Sequence, residues 1–345
     1  MAYASITKPS LHFNTKLYTG NGSAQSHTGV GFRPDLTWIK PRSFADNHVL
    51  FDVARGVTGR LIPNDNSVQG TVSNMVTSFD SDGFSLGNND NVARNSATFA
   101  TWNWKANGAG SANTDGSINS TVSLNSASGF SIVSYTGTQN AGTVGHGLGV
   151  VPSMIIVKSL ASADAWYVWM KGFSGTQAIF LDSNAAQGSH ASYWNSTTPT
   201  SSVYSVLNNT GTNNSGGMIA YCFAEKKGFS KFGSYIGNGS TDGTFIYTGF
   251  KPAFVILKIK GHAGSWLMFD NKRDGLNPNS HRVYANGSDA EDTGSGSQID
   301  FLSNGFKGRS SDSSTNTINN EYLYMAFAAE PLVANVGASI PATAR

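Results

Sequence analysis

The chain has 345 residues, enough for one large core or for two or three ordinary ones, and its formal charge of +2 is close to zero. Only 13% of the residues are charged and no run is rich in Lys or Arg, which argues against nucleic acid as a partner. The apolar runs are far shorter than the roughly 20 residues of a membrane-spanning helix, and the single cysteine excludes an internal disulfide.

The composition favours strands over helices. Glycine occurs 39 times, and Ser, Thr and Asn are dense between short apolar runs, a pattern typical of many strands joined by turns. Glu, a common residue of solvent-facing helices, is rare. We therefore expect an all-β protein.

The same order of features occurs three times along the chain. Each stretch opens with an aromatic strand that ends in a turn, at residues 17–20, 134–137 and 234–237. A proline-marked strand follows, and its three copies align without a gap as GFRPDLTWIK (31–40), GVVPSMIIVK (149–158) and GFKPAFVILK (249–258). Internal similarity at such a period indicates tandem modules.

An aromatic block and a closing apolar strand complete each stretch. The closing strands read TFATWNWK (98–105), MIAYCFAE (218–225) and YLYMAFAAE (322–330). Seven or eight short strands per stretch predict three tandem antiparallel β-sandwich modules of the jelly-roll or lectin-like type. The predicted boundaries are 1–105 for module one with its N-terminal arm, 106–128 for a polar linker, 129–227 for module two, 228–333 for module three and 334–345 for a C-terminal tail.

Glycines at 145, 147 and 149 surround His146 and raise the question of a phosphate-cradling loop. A dinucleotide loop has its glycines after a strand and at the start of a helix. Here the glycines precede the second proline-marked strand, at the place where the other two copies also carry glycine. The pattern predicts a turn that leads into a strand.

An Asp-x-x-Arg pair follows the aromatic block twice, as Asp52 with Arg55 and Asp270 with Arg273. Our main interpretation is a salt-bridged turn at the strand exit. A ligand-contacting pair is the first alternative, and general acid–base catalysis, as in a polysaccharide depolymerase with two carboxylates, is the second. The second stretch has Met170 at this place, which weakens any essential shared role.

The aromatic residues offer another route to function. Tyr193 and Trp194 lie in a polar loop and are predicted to be the pair most exposed, as a platform for sugar rings. The strand tryptophans are interpreted as core or inter-module packing, and Cys222 as a buried, inert thiol.

The acidic stretch 289–292 could hold Ca²⁺, but a solvated loop is the preferred interpretation. Isolated histidines give no support to a zinc site, and we expect no metal and no cofactor.

Several segments together resemble a known family. The segments are KLYTGNGS, GVGFRPDLTWIK, NSATFATWNWKANG, GHGLGVVPSMIIVK, MIAYCFAE, GFKPAFVILK, YLYMAFAAEPLV and the terminal PATAR. They are similar to repeat-containing virion proteins of marine tailed bacteriophages that infect cyanobacteria and other ocean bacteria. The resemblance covers almost the whole chain and implies a component on the particle exterior, as a tail fibre, spike or capsid decoration. It carries over no catalytic residue.

The resulting hypothesis is a non-enzymatic virion protein that contributes to host attachment. It would be assembled in the host cytoplasm, since the N-terminus does not show the pattern of a secretory signal. Expected partners are other capsid or tail proteins, further copies of this chain and a host surface glycan or receptor, without membrane insertion; residues 1–13 and 334–345 are the candidate docking arms. A glycan-binding, lectin-like adhesin is the alternative, followed by a polysaccharide depolymerase.

Overall fold

The structure, a computed structural model, describes residues 4–332. Antiparallel strands in six sheets form this part of the chain. Its helices are a 3-10 turn at Pro9–Leu11 and two four-residue α-helices, α1 (Asp90–Ala93) and α2 (Thr210–Asn213). The all-β fold class is confirmed, and the predicted C-terminal tail lies outside the described residues.

Residues 8–105, called segment I below, form two sheets. The main sheet has the order β1-β9-β3-β4-β5-β6, and a smaller sheet has the order β2-β8-β7. The strands of segment I are β1 (Phe13–Thr19), β2 (Gln25–Thr28), β3 (Leu36–Pro41), β4 (Val49–Asp52), β5 (Gly56–Leu61), β6 (Gly70–Thr71), β7 (Val76–Asp80), β8 (Gly83–Leu86) and β9 (Thr98–Trp104).

Residues 106–227, segment II, continue with β10 (Ser111–Asn113), β11 (Ser120–Asn125), β12 (Phe130–Tyr135), β13 (Gly142–Gly145), β14 (Met154–Ser159), β15 (Tyr167–Met170), β16 (Gln177–Phe180), β17 (Gly188–Ser189), β18 (Val203–Val206) and β19 (Met218–Phe223). The main sheet has the order β10-β11-β12-β19-β14-β15-β16-β17, and β13 pairs with β18 in a second sheet.

Residues 228–332, segment III, contain β20 (Ser230–Ile236), β21 (Phe245–Tyr247), β22 (Phe250–Ile259), β23 (Leu267–Asp270), β24 (Val283–Tyr284), β25 (Ile299–Leu302), β26 (Gly305–Gly308) and β27 (Glu321–Pro331). The main sheet has the order β20-β27-β22-β23-β24, and the smaller sheet has the order β21-β26-β25.

The three main sheets share one pairing scheme. In each, the closing strand lies between the opening aromatic strand and the proline-led strand, and the proline-led strand pairs next with the short aromatic strand. The registers agree as well, because the same positions face each other in Leu36↔Trp104, Met154↔Phe223 and Phe254↔Phe327. The repeated sequence markers thus fold into repeated strand pairs, and positions in the three segments can be equated.

Proline marks the start of these strands for a physical reason. Pro34 and Pro152 lie just before β3 and β14, where a missing N–H breaks no ladder hydrogen bond. Pro252 lies inside β22, and the pairing with β27 shifts its register there. A bulge of this kind accommodates the residue that cannot donate.

The prediction of a polar linker at 106–128 is wrong. This stretch contains β10 and β11, and β11 pairs with β12 along its whole length, so that both strands extend the main sheet of segment II. Ile118 and Val122 supply buried apolar side chains, and the backbone hydrogen bonds supply the rest. A strand near the edge of a sheet that is covered on one face needs few apolar residues, so the polar composition of this stretch did not indicate its two strands.

The hydrophobic core is partly divided and partly shared. One cluster joins the two sheets of segment I, and another joins the two sheets of segment III. The largest cluster contains residues of all three segments, so one face of each main sheet points to a common centre. At that centre the equivalent rings of Trp104, Phe223 and Phe327 form a triangle with centroid separations of 6.4, 5.9 and 6.1 Å.

Candidate functional site

The two Asp-x-x-Arg pairs are buried turns that close on themselves. In the first, the Arg55 backbone N–H donates to Asp52 Oδ1 (3.0 Å) and Arg55 Nε donates to Asp52 Oδ2 (2.7 Å). In the second, Arg273 donates to Asp270 in the same way (2.9 and 2.5 Å). The side chains are at most 3% exposed, so these groups offer no surface to a ligand, and the salt-bridged turn is what the structure contains.

Each aspartate also accepts a hydrogen bond from another segment. Tyr221 Oη, on the closing strand of segment II, donates to Asp52 Oδ2 (2.6 Å). Trp102 Nε1, on the closing strand of segment I, donates to Asp270 Oδ2 (3.1 Å). Tyr221 and Trp102 occupy equivalent positions, since they face Ile156 and Trp38 at the same step of the ladder. The pairs therefore join segment I to II and segment III to I.

The third junction, between segments II and III, has no polar group at these positions. The strand registers place Met170 where the aspartates stand, and Phe173 three residues later replaces the arginine. The donor position is held by Met325 of segment III. All three side chains are buried in the shared core. Aspartate, arginine and donor are thus either all present or all absent.

Three buried lysines mark the ends of the proline-led strands. Lys40, Lys158 and Lys258 are fully buried, and burial lowers the pKa of each from 10.5 to about 8. Each Nζ donates to a backbone carbonyl oxygen of a different segment, namely those of Ser288 (3.2 Å), Asn66 (3.0 Å) and Asn184 (3.4 Å). These contacts run from I to III, from II to I and from III to II, which closes a ring.

A second closed set of hydrogen bonds between the segments is made by the residue that directly precedes each short aromatic strand. The ring nitrogens of His48, Trp166 and Trp266 bond to the backbone carbonyl oxygens of Tyr284 (3.1 Å), Ile62 (3.0 Å) and Phe180 (2.8 Å). Trp38 Nε1 donates to His48 Nδ1 (2.8 Å), so the proton is on Nε2, and burial holds the pKa of His48 well below its usual range. The strand tryptophans are therefore packing residues between segments, as the sequence indicated.

The predicted exposed platform is wrong for Trp194. Its side chain is fully buried, and Nε1 donates to the carbonyl oxygen of Gln177 (2.9 Å). Tyr193 packs edge-on against Tyr167 and Phe180. The polar loop folds back over β16, so that Trp194 joins the shared core and Tyr193 packs against it. The exposed position was predicted because polar residues flank Tyr193 and Trp194 in the sequence.

The acidic stretch 289–292 is partly solvated, since Asp289 is exposed, but its other two carboxylates are paired with arginines. Glu291 is buried between Arg42 of segment I (2.8 Å) and Arg273 (3.2 Å), and Asp292 accepts from Arg282 (2.6 Å). Arginines thus occupy the carboxylates that a cation would need. Across residues 4–332, no three His, Cys, Asp or Glu side chains are grouped so that they could hold a metal ion.

The turn around His146 and the side chain of Cys222 agree with the sequence predictions. The glycine-rich turn around His146 follows β13 and leads to β14, with no helix after it, so the turn-to-strand interpretation is confirmed. Cys222 is fully buried, and burial raises the pKa of its thiol, as expected for an inert cysteine. None of the described helices is long and apolar enough to span a bilayer.

A groove that carries polar groups lies on segment III and was not anticipated from the sequence. It has a volume of about 450 Å³ and is formed by the loop between β23 and β24 together with β22 and β25. The side chains that matter here are Lys251, Asn271, Asp274, Leu276, Asn279 and Phe301. In the sequence, Asp-Gly and Asn-Pro within this loop signal only turns. The groove is an exposed candidate site for a ligand.

A family model described as a domain of unknown function, DUF7483, matches residues 8–331. No curated protein and no solved structure matches the chain.

Proposed function

The chain belongs to the DUF7483 family, and from that premise we propose that it is a non-enzymatic structural protein of a bacteriophage particle. In this proposal the three segments are antiparallel β-sandwich modules. The protein sits on the particle exterior, as a tail fibre, spike or capsid decoration, and contributes to host attachment. It contacts other capsid or tail proteins and further copies of itself.

The observation that carries the proposal is the closed ring of junctions between the segments. Every segment binds the next through the same positions, and the last binds the first, as in a cyclic oligomer with a heterologous interface. Because each segment contacts both of the others, none of the three is held by its chain connection alone, and we expect the protein to be a rigid unit. Rigidity of this kind suits a protein that holds loops at fixed places on a symmetric particle.

The use of the polar side chains also favours a structural role. The aspartates and arginines that resembled catalytic pairs are fully engaged with each other and with a neighbouring segment. The buried lysines are engaged with backbone carbonyl groups. These groups stabilise the junctions, and a substrate would have to separate the segments to reach them.

The experiment is mass spectrometry of particles purified from a phage that encodes this chain, with cryo-electron microscopy to place it. We expect the protein at a fixed copy number relative to the major capsid protein. As the control, the particle-free lysate should be depleted of it. A chain that stays in the lysate and is missing from intact particles would overturn the proposal.

A second candidate function, a glycan-binding adhesin, is favoured by the groove on segment III, because polar acceptors and an exposed leucine lie together there. The depolymerase alternative predicts new reducing ends when the protein is incubated with host capsule. An adhesin binds the same polysaccharide and leaves its length unchanged, which separates the two.

A further inference from the structure

The groove on segment III is built from a loop that the other two segments do not share. The connection between the short aromatic strand and the next strand of each main sheet comprises residues 53–55 in segment I, 171–176 in segment II and 271–282 in segment III. The third connection is therefore the longest, although the strands on both sides of it are equivalent. Extra length in a surface loop on a rigid scaffold is where binding groups are commonly found.

The loop is held in place before any ligand arrives. The Asn277 amide bonds twice to the backbone of Phe301, since Phe301 N donates to Oδ1 (2.9 Å) and Nδ2 donates to the Phe301 carbonyl oxygen (3.0 Å). Asp274 Oδ2 accepts from Ser280 N (3.0 Å). A loop fixed in this way loses little conformational entropy on binding.

Two amide oxygens of the groove residues lack a donor. Asn279 is 1% exposed, and its Nδ2 donates to the Asp270 carbonyl oxygen (2.8 Å), which fixes the orientation of the amide and leaves Oδ1 unpaired. Asn271 Oδ1 is likewise buried and unpaired. An unpaired buried acceptor costs about 1–3 kcal/mol, and a ligand that donates to it recovers that energy.

The other groove residues indicate which kind of donor fits. Lys251 lines the same groove, and its positive charge opposes a metal cation beside the amide oxygens. Asp274 also lines the groove, but its Oδ2 already accepts from the backbone N–H and the hydroxyl of Ser280. Leu276 is 76% exposed and offers an apolar surface to C–H groups. A ligand with several hydroxyl groups and an apolar C–H face satisfies the acceptors, the lysine and the leucine together.

We propose that the groove formed by Lys251, Asn271, Leu276 and Asn279 is a saccharide-binding site. The hydroxyl groups donate to the asparagine oxygens and accept from the lysine, and one face of the sugar ring lies on the leucine. The proposal does not depend on where the protein is assembled, so its failure and that of the particle assignment are independent.

The test uses the full chain on an array of bacterial surface oligosaccharides, followed by calorimetry with the best glycan retained. Asn271→Ala and Leu276→Ala should each weaken binding by about fivefold to tenfold, the loss of one hydrogen bond or one apolar contact. Ile318→Ala is the matched control, since Ile318 is also exposed (61%) but lies outside the groove, and it should bind like the wild type.

Three results would overturn the assignment. The first is a wild-type chain that retains no glycan, and the second is retention that both groove variants leave unchanged. The third is retention that disappears when a chelator is added, because the asparagine oxygens would then serve a metal ion instead of hydroxyl groups. Thermal unfolding of each variant shows that a loss of binding is not a loss of fold.

Discussion

The junction between segments I and II and the junction between segments II and III use the same positions with opposite chemistry. The first contains a buried carboxylate, its cation and a hydroxyl donor from the neighbouring strand: Asp52, Arg55 and Tyr221. The second contains the apolar side chains Met170, Phe173 and Met325. Since a buried ion is costly without its partners, the three positions can change only together. A junction can therefore be polar or apolar at these three positions, but a combination of the two would leave a buried charge without its partners.

The largest effect is expected when one ion is removed from the polar junction. Asp52→Asn leaves the Arg55 cation buried without its counterion and should lower the free energy of unfolding by about 3–5 kcal/mol. Urea unfolding followed by circular dichroism measures it. Asp90→Asn, which breaks an exposed pair with Arg94, is the control and should cost less than about 0.5 kcal/mol. Equal decreases in the free energy of unfolding of the two variants would show that burial does not make the Asp52–Arg55 pair more important for stability than an exposed pair.

The equivalent substitution in segment III should cost less. In Asp270→Asn the Arg273 guanidinium keeps Glu291 beside it at 3.2 Å, whereas Arg55 has no second carboxylate among its hydrogen-bond partners. The same urea titration compares the two variants directly. A larger loss for Asp270→Asn would show that the Trp102 contact, and not the counterion, dominates that junction.

An intermediate effect is expected when only the donor is removed. Tyr221→Phe leaves the ion pair intact but withdraws the hydroxyl at 2.6 Å from Asp52, and hydrogen bonds to charged groups contribute about 1.5–3 kcal/mol. Tyr247→Phe is the control, since this tyrosine is 58% exposed. An unchanged free energy of unfolding in Tyr221→Phe would contradict the role given to the donor.

Converting the polar junction into the apolar one should cost less than any of its parts. The triple variant Asp52→Met, Arg55→Phe, Tyr221→Met copies the residues of the second junction and strands no buried charge. We expect it to lie within about 1–2 kcal/mol of the wild type, because replacing a buried ion pair by packed apolar groups is often nearly neutral. If the losses of the single variants simply add, the three positions do not act as a unit.

The smallest effect for a single residue concerns the lysines, which are present at every junction, polar or apolar. Their pKa is about 8 in the folded chain and 10.5 in the unfolded one. Between these values the three lysines bind more protons in the unfolded chain, so they should raise the free energy of unfolding as pH increases from 8 to 10. Cys222 and the buried tyrosines, whose pKa values burial raises, act in the opposite direction over the same range. We expect about 1 kcal/mol for each lysine after allowance for solvent screening. Unfolding at pH 7, 8, 9 and 10 measures the net pH dependence, and a lysine variant isolates the share of one lysine.

Lys258→Met tests whether the lysine at the apolar junction takes part. Compared with the wild type, the free energy of unfolding of this variant should rise by about 1 kcal/mol less between pH 8 and 10. Lys251→Met, in the groove on segment III, is the control and should show the wild-type pH dependence. A pH dependence that Lys258→Met leaves untouched would show that other groups cause it.

Much of the local structure could be predicted from the sequence. The proline-led strands, the salt-bridged Asp-x-x-Arg turns, the buried Cys222 and the packing role of Trp166 and Trp266 depend on residue type and neighbours in the chain. The virion resemblance, the predicted partners and the module boundaries other than the linker stay predictions, because no contact within a single chain bears on them.

Other features could not be predicted because they depend on distant parts of the chain. Trp194 is buried although its sequence neighbours are polar, since its loop folds back on β16. The stretch 106–128 adds two strands to the sheet because β12 offers it a partner, not because it is apolar. The groove on segment III arises where a long loop meets two strands that lie far from it in sequence.

The sequence by itself determined the all-β fold class and the repeated order of strand markers, because short apolar runs, glycine and proline act over a few residues. The tertiary structure alone decided that the repeats close into a ring around one shared core, and which of them contact each other. Asp52 carries no sign of Tyr221 in its own neighbourhood, and their contact is set by the packing of two sheets. A buried charge chooses its partner in three dimensions, since only there can the cost of burial be offset.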